Sequence, residues 1–446
     1  MKLLFLLSIS TLTFSLSAQQ ILSLEECRRL AVQNNKELRI AGEQVKISSS
    51  DKKAAFTKYF PQLSATGTYL WNEKDINLVD YTHLGELSAV IPPQVKEATH
   101  LDIQNVWVAG VSLVQPVFMG GKIVSYNQIA KYAEELAESM NNLKLQQVIY
   151  KTDETYWQVI SLVNKKKLAD SYVALLQKMD SDVTEMINEG VATKADGLSV
   201  KVRLNEAEMA QTKVDNGLAL SRMLLAQLCG LPMHEEIVLN DERLVDLPMN
   251  DVFEEGNVNE AFLNRLELKS LDLATRIYKK KEAIVVADML PNVALMANYL
   301  ATNPNSFNGF KNEFGGMFNV GIALQVPLSG WWEGTHKRNS ARAETTIKRL
   351  ELEDAREKIE LEVNQSVYKL NEANKKLTAS LKNKERADEN LRHADLGFSE
   401  GVIPALNLME AQTAWMAAGS DLIDAQIEVK LTKVYLMKSM GKLNIE

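Results

Sequence analysis

The chain of 446 residues is poor in the residues from which enzymes build metal sites and nucleophilic sites. It has 2 cysteines and 5 histidines, and neither set has the spacing of a zinc site or a catalytic triad. The sequence therefore predicts no enzyme, no cofactor and no metal centre. Cys27 and Cys229 are expected to be buried free thiols, with a disulfide as the alternative in an oxidising compartment.

The chain also lacks a surplus of basic residues. Its 50 lysines and arginines are outnumbered by 58 aspartates and glutamates, and the net charge of −8 argues against a nucleic-acid partner. With 10 prolines and 21 glycines, it has neither the composition of a low-complexity segment nor that of a disordered one. The run Gly120-Gly121-Lys122 does not have the spacing of a phosphate-binding loop.

Long apolar runs are missing as well. No stretch after residue 19 approaches the ~20 apolar residues of a membrane-spanning helix. Residues 1–18 combine Lys2, a short apolar run and small residues up to Ala18, which is typical of a secretory signal peptide, with a membrane anchor as the alternative. Because no cysteine directly follows, lipidation is not expected. We expect an exported bacterial protein.

The second half of the chain repeats the first. Residues 34–70 align without a gap with residues 264–300 at an offset of 230, and Gly190 aligns with Gly401 at an offset of 211. Such self-similarity indicates an internal two-fold repeat. The difference of 19 residues is an insertion in the first copy, and we expect it to form an external loop around 74–104.

Each copy has the same predicted order: a helix, two strands, a long helix, a tip turn and a shorter helix. The first copy (19–231) is predicted to have a helix at 24–58, strands at 62–72 and 105–117, a long helix at 121–188 and a helix at 195–229. The second copy (257–446) is predicted to have a helix at 257–288, strands at 291–302 and 316–328, a long helix at 331–398 and a helix at 403–440. Residues 232–256 are the predicted linker, an equatorial belt around the helices.

The predicted strands alternate between two faces. In 62–72, serine and threonine occupy one face while Leu63, Ala65 and Tyr69 occupy the other. Runs of ~10 residues have the length of membrane-spanning strands, and no other segment remains to cover the apolar face. A soluble sheet with one face on a core is the alternative. Aromatic residues near the strand ends suit a girdle at the membrane interface: Tyr69, Trp71, Trp107, Tyr299, Trp331 and Trp332.

Glycine and proline are absent across 122–189 and 335–396. This absence predicts two uninterrupted helices of ~67 residues and ~100 Å each, with a bundle of shorter helices as the alternative. Each long helix ends at Glu-Gly-Val, where a glycine suits the positive φ of a tight turn. Apolar residues at such exposed tips are expected to be covered by another protein. The predicted partner-contact residues are Gly190, Val191, Gly401 and Val402.

These motifs, in this order, resemble the TolC-like outer membrane efflux family. The resembling segments are SLEECRRLAVQNNKEL, FPQLSATGTY, PVFMGGK and INEGVATKADGLSVK in the first copy, and LPNVALMANY, PLSGWWEGTHK and FSEGVIPALNLMEAQ in the second. The resemblance implies an α+β membrane protein: a homotrimer with four strands per chain in a shared 12-stranded β-barrel, continued by a long periplasmic α-helical coiled-coil tunnel. It also implies a place in the bacterial outer membrane and two partners, a periplasmic adaptor and an inner-membrane pump of RND, ABC or MFS type.

The resemblance further implies a constriction at the periplasmic mouth of the tunnel. In the family pattern, two acidic residues follow the glycine of the last turn, and they correspond here to Asn407 and Glu410. In the first copy, Asp196 is the equivalent of Asn407. The alternatives are a helix N-terminal acid for Asp196 and a solvated helix face for Glu410. The predicted function is a passive export duct; a periplasmic scaffold with a soluble strand cap is the alternative.

Overall fold

The computed structural model describes residues 21–234, 237–243 and 256–443. The predicted signal peptide lies outside these residues, as does most of the predicted linker 232–256. The chain divides into two compact units. The strand unit comprises 44–138 and 270–352, and the helical unit comprises the rest.

Most of the described residues are helical. The helices are α1 (Leu24–Asn34), α2 (Lys36–Phe56), α3 (Pro93–Ala98), α4 (Lys122–Asn188), α5 (Lys194–Cys229), α6 (Val258–Asn264), α7 (Leu266–Ala287), α8 (Gly330–Ser399) and α9 (Ala405–Ser439). Three short 3₁₀ segments span Thr57–Tyr59, Tyr81–Ala89 and Asn240–Arg243. Among the described residues, no helix is long and apolar enough to cross a membrane.

The helices predicted as continuous over 24–58 and 257–288 are each interrupted. The first breaks at Asn35, with φ −62° and ψ 125°, where the side-chain Oδ1 accepts hydrogen bonds from the backbone N–H groups of Glu37 (2.9 Å) and Leu38 (3.3 Å). Asparagine thus caps α2, a local bond that competes with the helix ladder.

The second break, at Arg265, lies at the position aligned with Asn35. Its backbone has φ −69° and ψ 115°, and its guanidinium pairs with Glu267 at 3.0 Å and Glu362 at 2.9 Å. It also donates a hydrogen bond to the backbone oxygen of Ser439 at 3.0 Å. These contacts within the helical unit fix a bend that helix propensity does not encode.

The described strands are β1 (Ile21–Leu22), β2 (Gln62–Trp71), β3 (Ile76–Asn77), β4 (His100–Leu101), β5 (Asn105–Met119), β6 (Val238–Leu239), β7 (Asn292–Asn303) and β8 (Gly315–Gln325). In the strand unit, four of them form one antiparallel sheet in the order β2-β5-β7-β8. β1 pairs with β6, and β3 with β4. The pairing of β5 with β7 joins the hairpin from the first half of the chain to the hairpin from the second.

The core of the helical unit consists of helix seams. Buried residues of α8 recur at intervals of four and three: Ile359, Val363, Ser366, Leu370, Ala373 and Leu377. This spacing is the heptad of a coiled coil, in which one stripe of each helix packs against its neighbours. A second cluster joins Tyr156 of α4, Leu225 of α5 and Leu239 of β6. The segment that follows α5 is therefore anchored on the helices through an apolar contact.

Candidate functional site

The four-stranded sheet has a row of polar side chains on one face. Ser64, Ser112, Asn298 and Asn319 lie opposite one another across β2, β5, β7 and β8. The Ser112 hydroxyl donates a hydrogen bond to Oδ1 of Asn298 at 2.7 Å, and Nδ2 of Asn298 donates to Oδ1 of Asn319 at 3.0 Å. Because these side chains form hydrogen bonds with one another, few of their polar groups need other partners. This row is polar but uncharged.

The other face of the sheet is apolar and exposed. Leu63, Leu113, Ala297 and Val320 form the corresponding row across the strands. Leu63 is 71% exposed and Val320 is 66% exposed, although both are aliphatic. No charged residue occurs in any of the four strands. An apolar face of this kind, opposite a polar one, is typical of a sheet that separates lipid from water.

Five of the six predicted aromatic residues lie at or just beyond the two ends of the sheet. Tyr69 packs on Trp107 with ring centroids 4.6 Å apart, and exposed Trp71 lies at the same end. Beyond the opposite end, Trp331 and Trp332 lie in the first turn of α8, where Nε1 of Trp331 donates a hydrogen bond to the backbone oxygen of Met289 at 2.8 Å.

Tyr299 does not lie at a strand end. It lies inside β7, opposite Val111 and Phe318, because β7 continues to Asn303 and pairs there with Trp107. Its ring covers Gly316, where a Cβ atom would come within 2.2 Å of the tyrosine hydroxyl.

The two tip turns have the same geometry. Gly190 has φ 79° and Gly401 has φ 70°, the left-handed region that favours glycine. The N–H of Val191 donates a hydrogen bond to the carbonyl of Met186 at 2.8 Å, as the N–H of Val402 does to that of Gly397 at 2.8 Å. These are Schellman bonds, which satisfy the last carbonyls of α4 and α8.

The helical unit brings the two tips together in one apolar cluster. Val183 and Val200 of the first half pack with Phe398 and Leu408 of the second. Outside this cluster, Val191 is 70% exposed and Val402 is 77% exposed. The tips thus combine a packed apolar interior with an exposed apolar outer end.

The three predicted acidic or amide residues of the tip do not form one site within the chain. Oδ2 of Asp196 accepts hydrogen bonds from the backbone N–H (2.9 Å) and the hydroxyl (2.6 Å) of Thr193. These bonds lower the pKa of Asp196, and the two residues form a capping box at the start of α5. The contacts of Asp196 are therefore those of an acidic residue that caps the N-terminus of a helix, the alternative given by the sequence.

Asn407 and Glu410 lie one turn apart near the start of α9, and both are exposed. Glu410 has no ion-pair partner within the part of the chain that the structure describes. An exposed carboxylate with no counter-charge among the described residues can interact with ions in solution or with another molecule.

A buried ion pair in the helical unit was missed by the sequence analysis. The guanidinium of Arg28 binds both carboxylate oxygens of Asp153 at 2.7 Å, and Asp153 is fully buried. Burial raises the pKa of Asp153, and Arg28 opposes that rise. An aspartate between the buried residues Thr152 and Thr155 of α4 was the sequence signal for this pair.

Both cysteines are buried and free. The Cys229 Sγ atom lies 3.6 Å from the backbone oxygen of Cys27. The pKa of the Cys27 thiol is raised, chiefly by its hydrogen bond with the Cys229 side chain and secondly by burial. The described residues contain no group of three or more His, Cys, Asp or Glu side chains placed to hold a metal ion.

Comparison with known proteins identifies a family and a fold. The model of the family "Outer membrane efflux protein" matches residues 28–231 and 257–442. The solved outer-membrane channel OprN superposes with a TM-score of 0.78 at 16% identity, covering 94% of this chain and 89% of that one. The Campylobacter jejuni CmeC outer membrane channel gives 0.77 at 13% identity, with 94% and 85% covered. The open state of the Neisseria gonorrhoeae MtrE outer membrane channel gives 0.74 at 16% identity, with 95% and 90% covered. Comparison with curated protein sequences gives no match.

Proposed function

We propose that this chain, which belongs to the outer membrane efflux protein family, is the outer-membrane channel of a tripartite efflux system and that three copies of it form one passive duct. The observation that carries the proposal is the two-faced sheet, with its apolar face exposed and with no charge in its strands. Water on the polar face and lipid on the apolar face satisfy both surfaces. A soluble strand cap would leave the apolar face in water.

The trimer is supported by the edges of the sheet. β2 and β8 are its outer strands, and each presents one edge without a strand partner among the described residues. Unpaired backbone groups are costly in lipid, so a membrane sheet closes into a barrel. Four strands are too few to enclose a lumen, whereas three chains supply twelve. The helices would continue this barrel as a periplasmic coiled-coil tunnel.

The protein works in the bacterial outer membrane. We propose that residues 1–18 are a signal peptide, that the mature chain carries no lipid anchor, and that the insertion between β2 and β5 faces outward. The tip residues Gly190, Val191, Gly401 and Val402 would contact a periplasmic adaptor. An inner-membrane pump of RND, ABC or MFS type would supply the cargo and the energy.

Two further proposals concern the roles of particular residues. Glu410, with Asn407 beside it, would line the periplasmic constriction, where three copies of the carboxylate would surround one pore. Asp196 would support this mouth by holding the start of α5. The aromatic residues at both ends of the sheet would anchor the barrel at the two membrane interfaces, while Tyr299 would contribute inside the apolar band.

The experiment that tests the assembly is fractionation followed by native mass spectrometry. We expect the protein in the outer-membrane fraction, as a detergent-stable species with three times the mass of one chain. A monodisperse soluble monomer in the periplasmic fraction would contradict the proposal and would favour the scaffold.

A further inference from the structure

A cavity of about 510 Å³ lies in the strand unit between α2 and α4. Two kinds of side chain line it. Basic groups come from Lys52, Lys53 and Lys131, and apolar groups come from Phe56, Tyr59 and Val124. A site that offers ammonium groups beside aromatic and aliphatic surface suits a ligand that is both anionic and apolar.

The walls of the cavity are fixed by hydrogen bonds. Nδ2 of Asn127 in α4 donates to the backbone oxygen of Ala55 in α2 at 3.1 Å. Nε2 of Gln115 in β5 donates to the backbone oxygen of Tyr59 at 3.1 Å. The first bond sets the spacing of the two helices. The second ties the Tyr59 side of the cavity to the end of the sheet at which β2 begins.

The side chains that line the cavity include three lysines and no carboxylate. Lys52 pairs with Glu134 at 2.5 Å, and Lys131 lies 3.8 Å from Glu135. Among the residues that the structure describes, Lys53 has no carboxylate within ion-pair distance. Nearby, the ammonium of Lys58 lies 4.3 Å from the ring centroid of Tyr126. The whole chain carries a net charge of −8, so this cluster of lysines has the opposite sign to the chain as a whole.

The apolar side of the cavity continues toward the sheet. Phe56 is 55% exposed and makes edge-to-face contacts with Tyr59 and Phe60, with centroids 5.7 and 5.5 Å apart. Pro61 and β2 follow directly. Exposed aromatic rings where a membrane sheet begins lie at the depth of headgroups and upper acyl chains.

We propose that this cavity binds one anionic phospholipid of the inner leaflet of the outer membrane. Lys53 and Lys131 hold its phosphate, and Phe56, Tyr59 and Val124 contact the acyl chains. The inference rests on the proposed function in one respect, the placement of the sheet in the membrane. A zwitterionic lipid is disfavoured, because its own cationic group would meet the lysines.

Native mass spectrometry of the intact, delipidated protein tests this inference, with dioleoyl phosphatidylglycerol and dioleoyl phosphatidylcholine as probes. We expect about tenfold tighter retention of the anionic lipid, because each lysine near the headgroup favours a lipid with a net negative charge. Tenfold corresponds to about 1.4 kcal/mol of binding free energy. The double variant Lys53→Gln/Lys131→Gln should lose this preference. Lys53→Arg/Lys131→Arg should keep it, as should Lys311→Gln in the segment between β7 and β8.

Three results would overturn the inference: equal retention of the two lipids by the wild type, unchanged retention of the anionic lipid by the double glutamine variant, or displacement of that lipid by millimolar inorganic phosphate alone. Planar-bilayer currents recorded from the same preparations separate this inference from the proposed function. If the currents persist without any lipid preference, only the lipid site is wrong. If no currents appear, the duct itself is wrong.

Discussion

The side-chain amide of Asn298 donates a hydrogen bond to that of Asn319 at 3.0 Å, across the strands β7 and β8. Their immediate neighbours Ala297 and Val320 form a pair on the opposite face of the same two strands. One step along β8 therefore leads from a hydrogen-bonded polar row to an exposed apolar row. This adjacency allows the two faces to be tested with the same substitution at consecutive positions.

The first prediction concerns these two faces. A lysine at position 319 points into water in the proposed barrel, whereas a lysine at position 320 points into lipid. Val320→Lys should destabilise the inserted barrel by ~2–4 kcal/mol per chain, the cost of a lysine near the bilayer midplane. Asn319→Lys should assemble normally and shift the ion preference of the channel toward anions. Yield of the heat-resistant oligomer and reversal potential measure the two effects, and equal yields for the two variants would contradict the assigned faces.

The second prediction concerns the tips. Gly401→Pro removes the positive φ of the turn and the N–H that donates to the Phe398 carbonyl at 3.0 Å. Val402→Asp places a charge on the exposed apolar end. Both variants should assemble and conduct, yet fail to retain the periplasmic adaptor in a pull-down. Gly401→Asn, which tolerates the left-handed region, and Val402→Ile are the matched controls and should retain it. Normal adaptor binding by Val402→Asp would remove Val402 from the contact surface.

The third prediction concerns Glu410. Three carboxylates around one narrow pore would attract cations. Glu410→Gln should therefore lower the cation preference and weaken block by divalent cations, while Glu410→Asp should preserve both. Single-channel recordings in asymmetric salt provide the measurement. If the glutamine variant has the same selectivity, conductance and divalent block as the wild type, then Glu410 lies outside the constriction.

The fourth prediction concerns the buried pair of Arg28 and Asp153. Arg28→Ala leaves an uncompensated buried carboxylate and should destabilise the helical unit by ~3–5 kcal/mol. The control is Arg29→Ala, because Arg29 lies on the exposed side of α1, and it should cost less than about 0.5 kcal/mol. Hydrogen exchange of α1 and α4 peptides measures the difference.

The deficit of Arg28→Ala should also depend on pH in a defined direction. Burial raises the folded-state pKa of Asp153 above its unfolded value, and loss of the arginine raises it further. The folded state then binds more protons than the unfolded state, so its stability rises as the pH falls. The variant should be closest to wild type in acid. A deficit that grows on acidification would contradict the burial of an unpaired carboxylate.

Local sequence patterns were sufficient to locate the two long helices. The long helix predicted at 121–188 is Lys122–Asn188, and the one predicted at 331–398 is Gly330–Ser399. Glycine and proline are absent from most of each, and glycine returns at the turn that ends it, so propensity alone defines the span. The two-residue period of 62–72 likewise separates serine and threonine from the apolar residues, and in the structure Ser64 lies in the polar row and Leu63 in the apolar row.

Features that depend on distant contacts were not predictable in this way. The break at Arg265 depends on Glu362 and on the backbone of Ser439, far along the chain. Similarly, the position of Tyr299 inside β7 depends on how far β5 extends opposite it. The tip residues were located by the Glu-Gly-Val repeat. Their proposed roles depend on contacts with other chains, which local sequence patterns do not encode.

Whether the protein is a passive duct can be measured as the conductance of the purified oligomer in a planar lipid bilayer. We expect discrete, stepwise currents from the intact oligomer without nucleotide, proton gradient or pump, and none from heat-dissociated chains. An intact oligomer that inserts no conducting unit, or currents carried by dissociated single chains, would contradict the proposed duct.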